Sequence, residues 1–468
     1  MKKLYLGLLG SLLALMLAVG ILSLVDKDPT ISLLENRELA SKPDFSWGAL
    51  WEGAYVQELE AYYTDTFPFR EQLLGLNRKL NQFYYYSGGD NNYLAIDFNG
   101  GAEQGGESLH DVENALSGND KPEKQEQPGG TEGDVPPDGT QGDPDTPPEE
   151  ERRDPEIALP DESQAAAIGT IIVVGDNAMD IPTASGAVIE SYAGAINNLA
   201  AAMGPDVRTI SLVTPNSGEF YSPESFHTGQ HSQKDMIDAC YAAMSDQVLT
   251  VDAYAALREH ADEYIYFRTD HHWTALGAYY AYVEYCRTVG LEPVALDQFQ
   301  TGTYENFLGS MYTYTQGYPQ SDALAANPDT LTYYLPIAET HAKYYSDTTL
   351  SDGIPISVVY TKIDESVSNK YLCFIGGDTP ICIVETDVEG PVCMVVKESY
   401  GNAFVPFLTS HYSKIIVIDP RKFNQEGMPA LNIAEFGQSQ GVDDLLVINY
   451  PFMINNSYYV EWLNRLVR

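Results

Sequence analysis

The sequence predicts an α/β fold in which helices cover both faces of a mostly parallel sheet, giving three α/β/α layers. Short runs rich in Val and Ile, such as VRTISLVT, CMVVK and DLLVIN, are apolar on both faces of a strand. This pattern is typical of buried parallel strands rather than of half-exposed antiparallel ones. Helical patterns separate most of these runs, so a helix is available for the crossover between successive strands.

The predicted elements follow in chain order. Strands are predicted at residues 170–174, 207–214, 247–253, 263–268, 391–397, 414–419 and 444–449. Helices are predicted at residues 186–203, 232–244, 275–289 and 402–412. Residues 300–385 interrupt the alternation with many Tyr and Thr residues. We therefore predict a strand-rich and loop-rich insertion there, within an α/β domain that spans residues 164–468.

The chain begins with an apolar run that is long enough to cross a membrane. Residues 4–25 contain no charged side chain, and as a helix they would extend about 33 Å, against about 30 Å for the apolar core of a bilayer. Lys2 and Lys3 precede the run, which places the N-terminus in the cytoplasm. The prediction is a transmembrane signal anchor at residues 1–25 of a single-pass cell-membrane protein, with the C-terminal domain extracytoplasmic. A cleaved signal peptide is the alternative.

Two segments separate the predicted anchor from the α/β domain. Residues 26–100 contain two helical patterns and are predicted to form a membrane-proximal helical module. Residues 101–163 carry 19 Asp or Glu, 4 Lys or Arg, 9 Pro and 9 Gly, without any Phe, Trp or Tyr. Such a segment cannot bury enough apolar surface to offset the entropy of ordering it. It is predicted to be a disordered acidic insertion.

Composition excludes several classes of function. The chain has 26 Lys or Arg and 67 Asp or Glu, a formal net charge of −41, which repels the phosphate backbone of nucleic acids. There is no phosphate-binding loop or dinucleotide-binding glycine motif, and no cofactor is predicted. The five cysteines form no CxxC pair. They are predicted to be free and to pack as small apolar side chains, with one bridge among the last three as the alternative.

Polar residues that can carry chemistry follow two of the predicted strands. Asp270, His271 and His272 come directly after one strand, and Ser399 comes after another, at a turn into a helix. In an open parallel sheet, ligands bind at the carboxyl ends of the strands. A neutral imidazole can take the proton of a serine hydroxyl, while a carboxylate fixes the imidazole tautomer. The alternative is that these residues are helix caps and a structural histidine.

The strings RTDHHWTALGAYYAY and KESYGNAFVPFL, with ENREL and TDTFPFR near the start, resemble those of the DHHW family of membrane-anchored bacterial proteins. That family is similar to the alginate O-acetylation proteins, whose domain is a permuted variant of the SGNH hydrolase fold. The resemblance implies that Asp270 orients the base, that His272 is the general base and that Ser399 is the nucleophile. It also implies a membrane protein as a possible acyl donor.

Other site assignments are less specific. Gly401, Asn402, Gly377 and Asn216 are candidates for an oxyanion hole, because a strand-to-helix turn exposes free N–H groups. Arg268 is a candidate partner for Asp270, for Glu398 or for an anionic substrate. No metal site is predicted. A cluster of the Asp270 to His272 segment with His227 and His231 is a competing interpretation, disfavoured because adjacent histidines in a strand or turn point apart.

Two functions from different classes remain. The first is a serine acyl-transfer enzyme, an O-acetyltransferase or acetylesterase that acts on a cell-surface or secreted polysaccharide through Ser399, His272 and Asp270. The second is a non-catalytic glycan-binding or envelope-assembly protein that retains the fold. The distance between the Ser399 and His272 side chains separates them, because proton transfer requires hydrogen-bond contact of about 2.6 to 3.2 Å.

Overall fold

A computed structural model describes residues 31–32, 37–38, 42, 55, 62, 152–351, 353–364, 367–425 and 427–468. The predicted anchor at residues 1–25, nearly all of the predicted module at residues 26–100 and the part of the acidic segment before residue 152 lie outside these ranges. Within the described ranges, no helix is both long enough and apolar enough to cross a membrane. The anchor therefore stays a prediction.

The described residues form fifteen strands and eleven α-helices, here numbered in chain order. Strands β1 to β15 are Ile31–Ser32, Arg37–Glu38, Ala165–Ile168, Ile171–Val174, Asn177–Asp180, Arg208–Val213, Val248–Val251, Thr301–Phe307, Asp329–Tyr334, Thr340–Tyr345, Ile354–Ile356, Ile381–Thr386, Val392–Lys397, Lys414–Ile418 and Asp444–Asn449. Helices α1 to α11 are Gly186–Met203, Gly218–Tyr221, Gln233–Ala242, Ala253–Glu259, Ala275–Val289, Ser310–Thr315, Ser321–Ala326, Val405–Leu408, Ile433–Gln440, Pro451–Ile454 and Ser457–Arg465.

One eight-stranded sheet dominates the molecule. Its strand order is β11-β10-β12-β14-β13-β15-β6-β7. The five strands from β14 to β7 run parallel to one another, and β12, β10 and β11 extend the sheet by antiparallel pairing. The prediction of an α/β fold with a large, mostly parallel sheet is confirmed. The strands β13, β15 and β6 lie side by side at its centre, so their carboxyl ends meet at one edge.

The helices pack in two groups around the sheet. α1 contacts α3, α9 and α11, whereas α5 contacts α4 and α8. The predicted bounds of α1 and α5 agree with the structure. α5 begins at the Thr274 cap, whose side chain accepts a hydrogen bond from the N–H of Gly277, and ends at Gly290 in the left-handed conformation. This helix positions the candidate site residues, because the segment with Asp270 and His272 leads directly into it.

Three predicted elements differ from the structure. The strand predicted at 170–174 is β4, which belongs to a separate three-stranded antiparallel sheet with β3 and β5. The segment 263–268 is not a strand, because the chain folds back on itself there and makes only an isolated bridge between Tyr266 and Trp273. The helix predicted at 402–412 is shorter: a 3₁₀ helix, Ser399–Ala403, precedes α8.

The region predicted as an insertion, residues 300–385, contributes to the main sheet. β8 and β9 form a separate two-stranded sheet, but β10, β11 and most of β12 add three strands to one edge of the large sheet. The last part of the acidic segment also contacts the domain: Arg152 donates a 3.0 Å hydrogen bond to Glu284, and Asp154 pairs with Arg258 at 2.8 Å.

The five cysteines are buried free thiols, as predicted. Cys240, Cys286, Cys373, Cys382 and Cys393 are all buried, and none forms a disulfide. Burial raises the pKa of Cys240 to about 12, so this thiol stays protonated at neutral pH. Their role is packing rather than redox chemistry or nucleophilic chemistry.

Candidate active site

The turn that carries Ser399 follows directly on a central strand. β13 ends at Lys397, and Glu398 is the N-cap of the 3₁₀ helix Ser399–Ala403. The side chain of Glu398 accepts a 2.9 Å hydrogen bond from the N–H of Tyr400, which fixes the turn just after the serine. Ser399 itself is half-buried. Its hydroxyl is therefore held at the carboxyl edge of the sheet while remaining accessible.

A buried network of charges supports this turn from below. The ammonium group of Lys397, which has no exposed surface, donates to Asp378 at 2.8 Å and to Asn402. Arg421 donates to the other oxygen of Asp378 at 2.6 Å. Burial alone would raise the pKa of Asp378, but the two cations hold it well below its usual range. A side chain at Gly401 would come within 2.8 Å of Lys397, so glycine lets the turn pass closely over the lysine.

The turn that carries Asp270 and His272 is fixed at its N-terminal end by a buried acid. Asp329 accepts hydrogen bonds from the N–H of Thr269 at 2.8 Å and from the hydroxyl of Thr269 at 2.6 Å. At the other end, Thr274 caps α5. Both ends are thus anchored by side-chain to backbone bonds, which places the carboxylate and the imidazole with little freedom.

Trp273 joins the two turns. Its indole N–H donates a 2.9 Å hydrogen bond to the carbonyl oxygen of Tyr400, and its ring is fully buried with a centroid 5.2 Å from that of Tyr400. A buried indole needs an acceptor for its N–H, and here the acceptor lies on the turn that follows Ser399. Trp273 therefore packs beneath the turn and holds two segments 127 residues apart in contact.

Ser399, His272 and Asp270 form one continuous chain of hydrogen bonds. The Nδ1 atom of His272 lies 2.6 Å from Oδ1 of Asp270, and its Nε2 atom lies 2.8 Å from Oγ of Ser399. An ionised carboxylate only accepts hydrogen bonds, so Nδ1 carries the proton and Nε2 is free to accept the Ser399 hydroxyl proton. The predicted contact between the two turns is thus present. His272 and Asp270 are 5% and 3% exposed.

Asp270 is held in its ionised form. Burial alone would raise its pKa, but the charge and the hydrogen bond of His272 outweigh burial and hold the pKa below the ordinary range. Its oxygens also accept bonds from two backbone N–H groups, those of His272 at 3.0 Å and Ser310 at 2.8 Å. A carboxylate with three donors around it stays charged at every pH at which His272 can act as a base.

His271 is a neutral neighbour of this chain. Burial, followed by repulsion from the charge on His272, lowers its pKa to about 3. Its Nδ1 atom lies 2.6 Å from the hydroxyl oxygen of Ser310. An imidazole with so low a pKa is a weak base, so His271 does not compete with His272 for a proton from Ser399.

Two of the predicted oxyanion candidates are already engaged at the Ser399 turn. The N–H of Gly401 donates to the carbonyl oxygen of Glu398 at 3.0 Å. The amide of Asn402 donates to Asp378 at 3.1 Å and accepts from Lys397. These two residues therefore build the turn and its support rather than present free donors.

The remaining candidates lie outside the Ser399 turn, although Gly377 directly precedes the Asp378 that supports this turn. The N–H of Gly377 donates to the Phe374 carbonyl oxygen at 3.1 Å. Asn216 follows β6, two strands away from β13, and its Nδ2 atom is buried without a hydrogen-bond partner among the described residues. Arg268 pairs with Asp329, with 3.5 Å between Nε and Oδ1, and not with Asp270 or Glu398.

Sequence reasoning missed several residues around this chain. Ser310 supplies a backbone donor to Asp270, and Tyr371 stacks on His272 with ring centroids 3.9 Å apart and planes 9° apart. Both lie in the region read as an insertion, and neither belongs to a recognisable motif. The buried Lys397 had one signal: an apolar strand that ends in a lysine directly before the serine turn.

The competing metal interpretation has a partial geometric basis. One potential metal-ligand atom from each of Asp270, His271 and His272 lies within 4.8 Å of the others. In the described part of the chain this is the one group of three or more His, Cys, Asp or Glu residues close enough to hold an ion. The nitrogens of His272 are however already bonded to Asp270 and to Ser399. His227 instead contacts the hydroxyl of Ser222 at 3.1 Å. The hydrogen-bonded chain accounts for these side chains without an ion.

The stability of the domain is expected to fall as the pH rises from about 4.5 to about 8. Burial raises the pKa of Glu398 to about 8 from its ordinary 4.5, and burial with repulsion from Asp270 raises the pKa of Asp180 likewise to about 8. Between these values the folded chain keeps protons that the unfolded chain has lost, so stabilisation present at low pH is lost as the pH rises through 8. The loss should be on the order of a few kcal/mol.

Urea unfolding at pH 5 and at pH 8 measures this change. Glu398→Gln, which cannot ionise, should show a smaller decrease in the free energy of unfolding between the two pH values than the natural chain. The same decrease in both proteins would contradict a protonated Glu398 in the folded state.

Comparisons with known proteins identify a family and several similar structures. The family model described as "DHHW protein" matches residues 152–418. A DHHW family protein from Eubacterium siraeum is 30% identical, with a TM-score of 0.57, over 65% of this chain and 98% of that one. PatB1 from Bacillus cereus is 19% identical, with a TM-score of 0.51, over 62% and 98%. The O-acetyltransferase domain of Pseudomonas putida AlgJ is 13% identical, with a TM-score of 0.35, over 60% and 92%. No curated protein sequence matches.

Proposed function

The chain belongs to the DHHW family, and we propose that it is an extracytoplasmic serine acyl-transfer enzyme, an O-acetyltransferase or acetylesterase that acts on a cell-surface or secreted polysaccharide. The hydrogen-bonded chain from Asp270 through His272 to Ser399 is the observation that carries the proposal. A half-buried serine, a base with its accepting nitrogen on that serine and a buried carboxylate behind the base are the parts that nucleophilic acyl transfer requires.

The first step of the proposed reaction acylates the serine. Oγ of Ser399 attacks the carbonyl carbon of an acetyl ester, and its proton passes to Nε2 of His272. Asp270 stabilises the resulting imidazolium without taking the proton itself. The tetrahedral intermediate collapses when the leaving alcohol takes the proton from Nε2, which leaves acetyl-Ser399 and a neutral His272.

The second step transfers the acetyl group. A hydroxyl group of a sugar, or a water molecule, loses its proton to Nε2 of His272 as its oxygen attacks the acetyl carbon. The proton then returns to Oγ of Ser399 as the acetyl ester or acetate leaves. Transferase and esterase activities differ only in whether water reaches the acetyl-Ser399 intermediate.

For the oxyanion, the N–H group of Ser399 itself is the proposed donor at this turn. The next two N–H groups, those of Tyr400 and Gly401, already donate to the side chain and the carbonyl oxygen of Glu398. A backbone donor on the nucleophile lies close to the developing charge and is already oriented before the reaction.

Three parts of the proposal rest on the sequence: the acetyl group, the polysaccharide and the cellular location. The resemblance of the Asp-x-His-Trp motif to the alginate O-acetylation proteins supports the first two. The apolar run at residues 4–25 supports a single-pass membrane location, and a membrane acyl-donor protein is the proposed partner. An SGNH-like three-layer arrangement is the corresponding proposal for the fold, supported by the two groups of helices around the sheet.

Peptide mass mapping tests this function. The full-length protein in detergent is incubated with an aryl acetate, quenched with acid and digested, with and without an oligosaccharide acceptor. An acetyl group on the peptide that contains Ser399 is expected, together with acetylated sugar when the acceptor is present. Steady turnover with the acetyl group on another residue, or on none, would overturn the proposal.

Replacing Gly309 with alanine is expected to lower kcat without unfolding the protein. The backbone of Gly309 is extended, with φ −89° and ψ −161°, which alanine accepts, but the added Cβ would overlap the carboxylate of Asp270. A displacement of about 1 Å away from His272 costs on the order of 100-fold in rate. Gly194→Ala is the control, because an added Cβ there meets nothing within 4 Å. If both variants keep the natural kcat, the backbone around residue 309 has moved to make room for the added Cβ, the Asp270 carboxylate has stayed in place, and the prediction is wrong.

A further inference from the structure

The imidazole of His272 lies between two aromatic rings. The ring of Tyr371 is parallel to it, with centroids 3.9 Å apart and planes 9° apart, and the ring of His271 has its centroid 3.7 Å away at 37°. Two rings this close cannot share one face of an imidazole without overlapping, so they cover opposite faces. The edges of the imidazole meanwhile contact Asp270 and Ser399.

Tyr371 is itself firmly held. It is 3% exposed and belongs to the 3₁₀ helix Lys370–Cys373. Phe374 contacts its ring edge-on at 5.2 Å, and Phe267 does so at 6.4 Å. Its hydroxyl contacts the backbone of the segment after Ser399, at 3.5 Å from the carbonyl oxygen of Tyr400 and at the backbone of Ala403. The ring rather than the hydroxyl is therefore the part of Tyr371 that acts on His272.

We propose that Tyr371 is a positioning residue for the acyl-transfer reaction, which holds the His272 imidazole in the plane where it contacts Ser399 and Asp270 together. This inference rests on the proposed function. Hydrogen bonds fix the two nitrogens, but an imidazole uncovered on one face could swing about its side-chain bonds and leave Ser399. The electron-rich face of the tyrosine also attracts the imidazolium that forms when Ser399 is deprotonated.

His271 completes the arrangement from the opposite face. Because its pKa is lowered to about 3, it covers His272 without placing a second positive charge beside the imidazolium. The acidic groups that face His272 are Asp270, through Nδ1, and beyond Ser399 the side chain of Glu398, which lies 3.5 Å from the serine oxygen. Neither contacts the faces of the ring, where His271 and Tyr371 are the nearest aromatic neighbours and Tyr400 lies farther away, with its centroid at 5.4 Å.

The test compares variants of the full-length protein by two rates. The first is kcat for an aryl acetate, and the second is the rate of Ser399 sulfonylation by phenylmethanesulfonyl fluoride, a small reagent that reports on activation of the serine without a sugar acceptor. Tyr371→Phe keeps the ring and should retain both rates. Tyr371→Leu should lower both by about 10- to 100-fold with little change in KM, as misplacement of a reacting group does.

Phe299→Leu is the matched control, because Phe299 is a buried ring that contacts Tyr279 and Phe407, and no ring contact joins it to Tyr371 or His272 among the described residues. It should retain both rates. Melting temperatures show whether each variant folds. If Tyr371→Leu does not, Tyr371→Met replaces it, because the unbranched methionine side chain adapts to an irregular space, and it should show the same loss of rate.

The outcomes distinguish the two proposals. If Ser399 is labelled in the natural protein but Tyr371→Leu or Tyr371→Met reacts as fast as Phe299→Leu, the positioning role is overturned and the acyl-transfer function stands. Loss in Tyr371→Phe equal to that in Tyr371→Leu would also overturn it, because the hydroxyl would then be responsible. If Ser399 is not labelled and Ser399→Ala retains turnover, the function fails and the positioning role fails with it.

Discussion

Replacing Ser399 with alanine is expected to lower kcat for an aryl acetate by about 10⁴- to 10⁶-fold, the scale on which loss of a nucleophile acts. In the proposed reaction the hydroxyl oxygen forms the covalent bond with the acetyl carbon, and alanine has no atom that can replace it. Glu398 lies next to it, but its side chain is engaged with the N–H of Tyr400. Stability should change little, because Ser399 is half-buried and its hydroxyl makes one short hydrogen bond, to His272, and one long contact, to Glu398.

Ser410→Ala is the control for this change. Ser410 follows the same turn just beyond α8, it is half-buried, and its hydroxyl has no hydrogen-bond partner among the described residues. Its replacement should leave kcat unaffected. Equal turnover by Ser399→Ala and Ser410→Ala would reject Ser399 as the nucleophile and favour the non-catalytic alternative, in which the serine only begins a helix.

The central strands and the candidate triad could be predicted because their signals are local. Continuous apolar runs indicate buried strands such as β13 and β15, and the polar residues that follow a parallel strand belong to its carboxyl edge. Asp270 and His272 are two positions apart, so a single turn brings them together. The contact with Ser399 depended on the resemblance to a family, since no pattern in the sequence relates two turns 127 positions apart.

The groups around the triad could not be predicted, because their contacts are long-range and carry no periodicity. Ser310 reaches Asp270 across 40 positions through a backbone N–H, which any residue type could supply. Tyr371 is one of 33 tyrosines, and its sequence neighbourhood resembles a loop. The strand predicted at residues 263–268 is wrong for a related reason. Ile265 and Phe267 have the alternate spacing of a strand, but their side chains fill the core beside α5 and the segment does not pair in the sheet.

Asp270→Asn is expected to lower kcat by about 10⁴-fold. The reason is again a set of contacts that the sequence alone does not show. Oδ1 of Asp270 accepts from both the N–H and Nδ1 of His272, and Oδ2 accepts from the N–H of Ser310. An asparagine has one oxygen for these three donors. If its oxygen faces His272, its NH₂ group opposes the N–H of Ser310. If its oxygen faces Ser310, its NH₂ group donates to Nδ1 and forces the proton onto Nε2, where it blocks acceptance from Ser399.

Asp444→Asn separates this effect from a general loss of stability. Asp444 is a buried acid at the opposite end of the sheet, where β15 begins, and it accepts hydrogen bonds from Arg208 at 2.9 and 2.7 Å and from Tyr412 at 2.7 Å. Its replacement should lower the melting temperature and leave kcat unchanged, whereas Asp270→Asn should lower kcat at every pH, because Asp270 itself stays ionised throughout the active range. A folded Asp270→Asn protein with kcat within tenfold of the natural value would mean that His272 needs no carboxylate to orient it, and that Asp270 serves only to order the turn before α5.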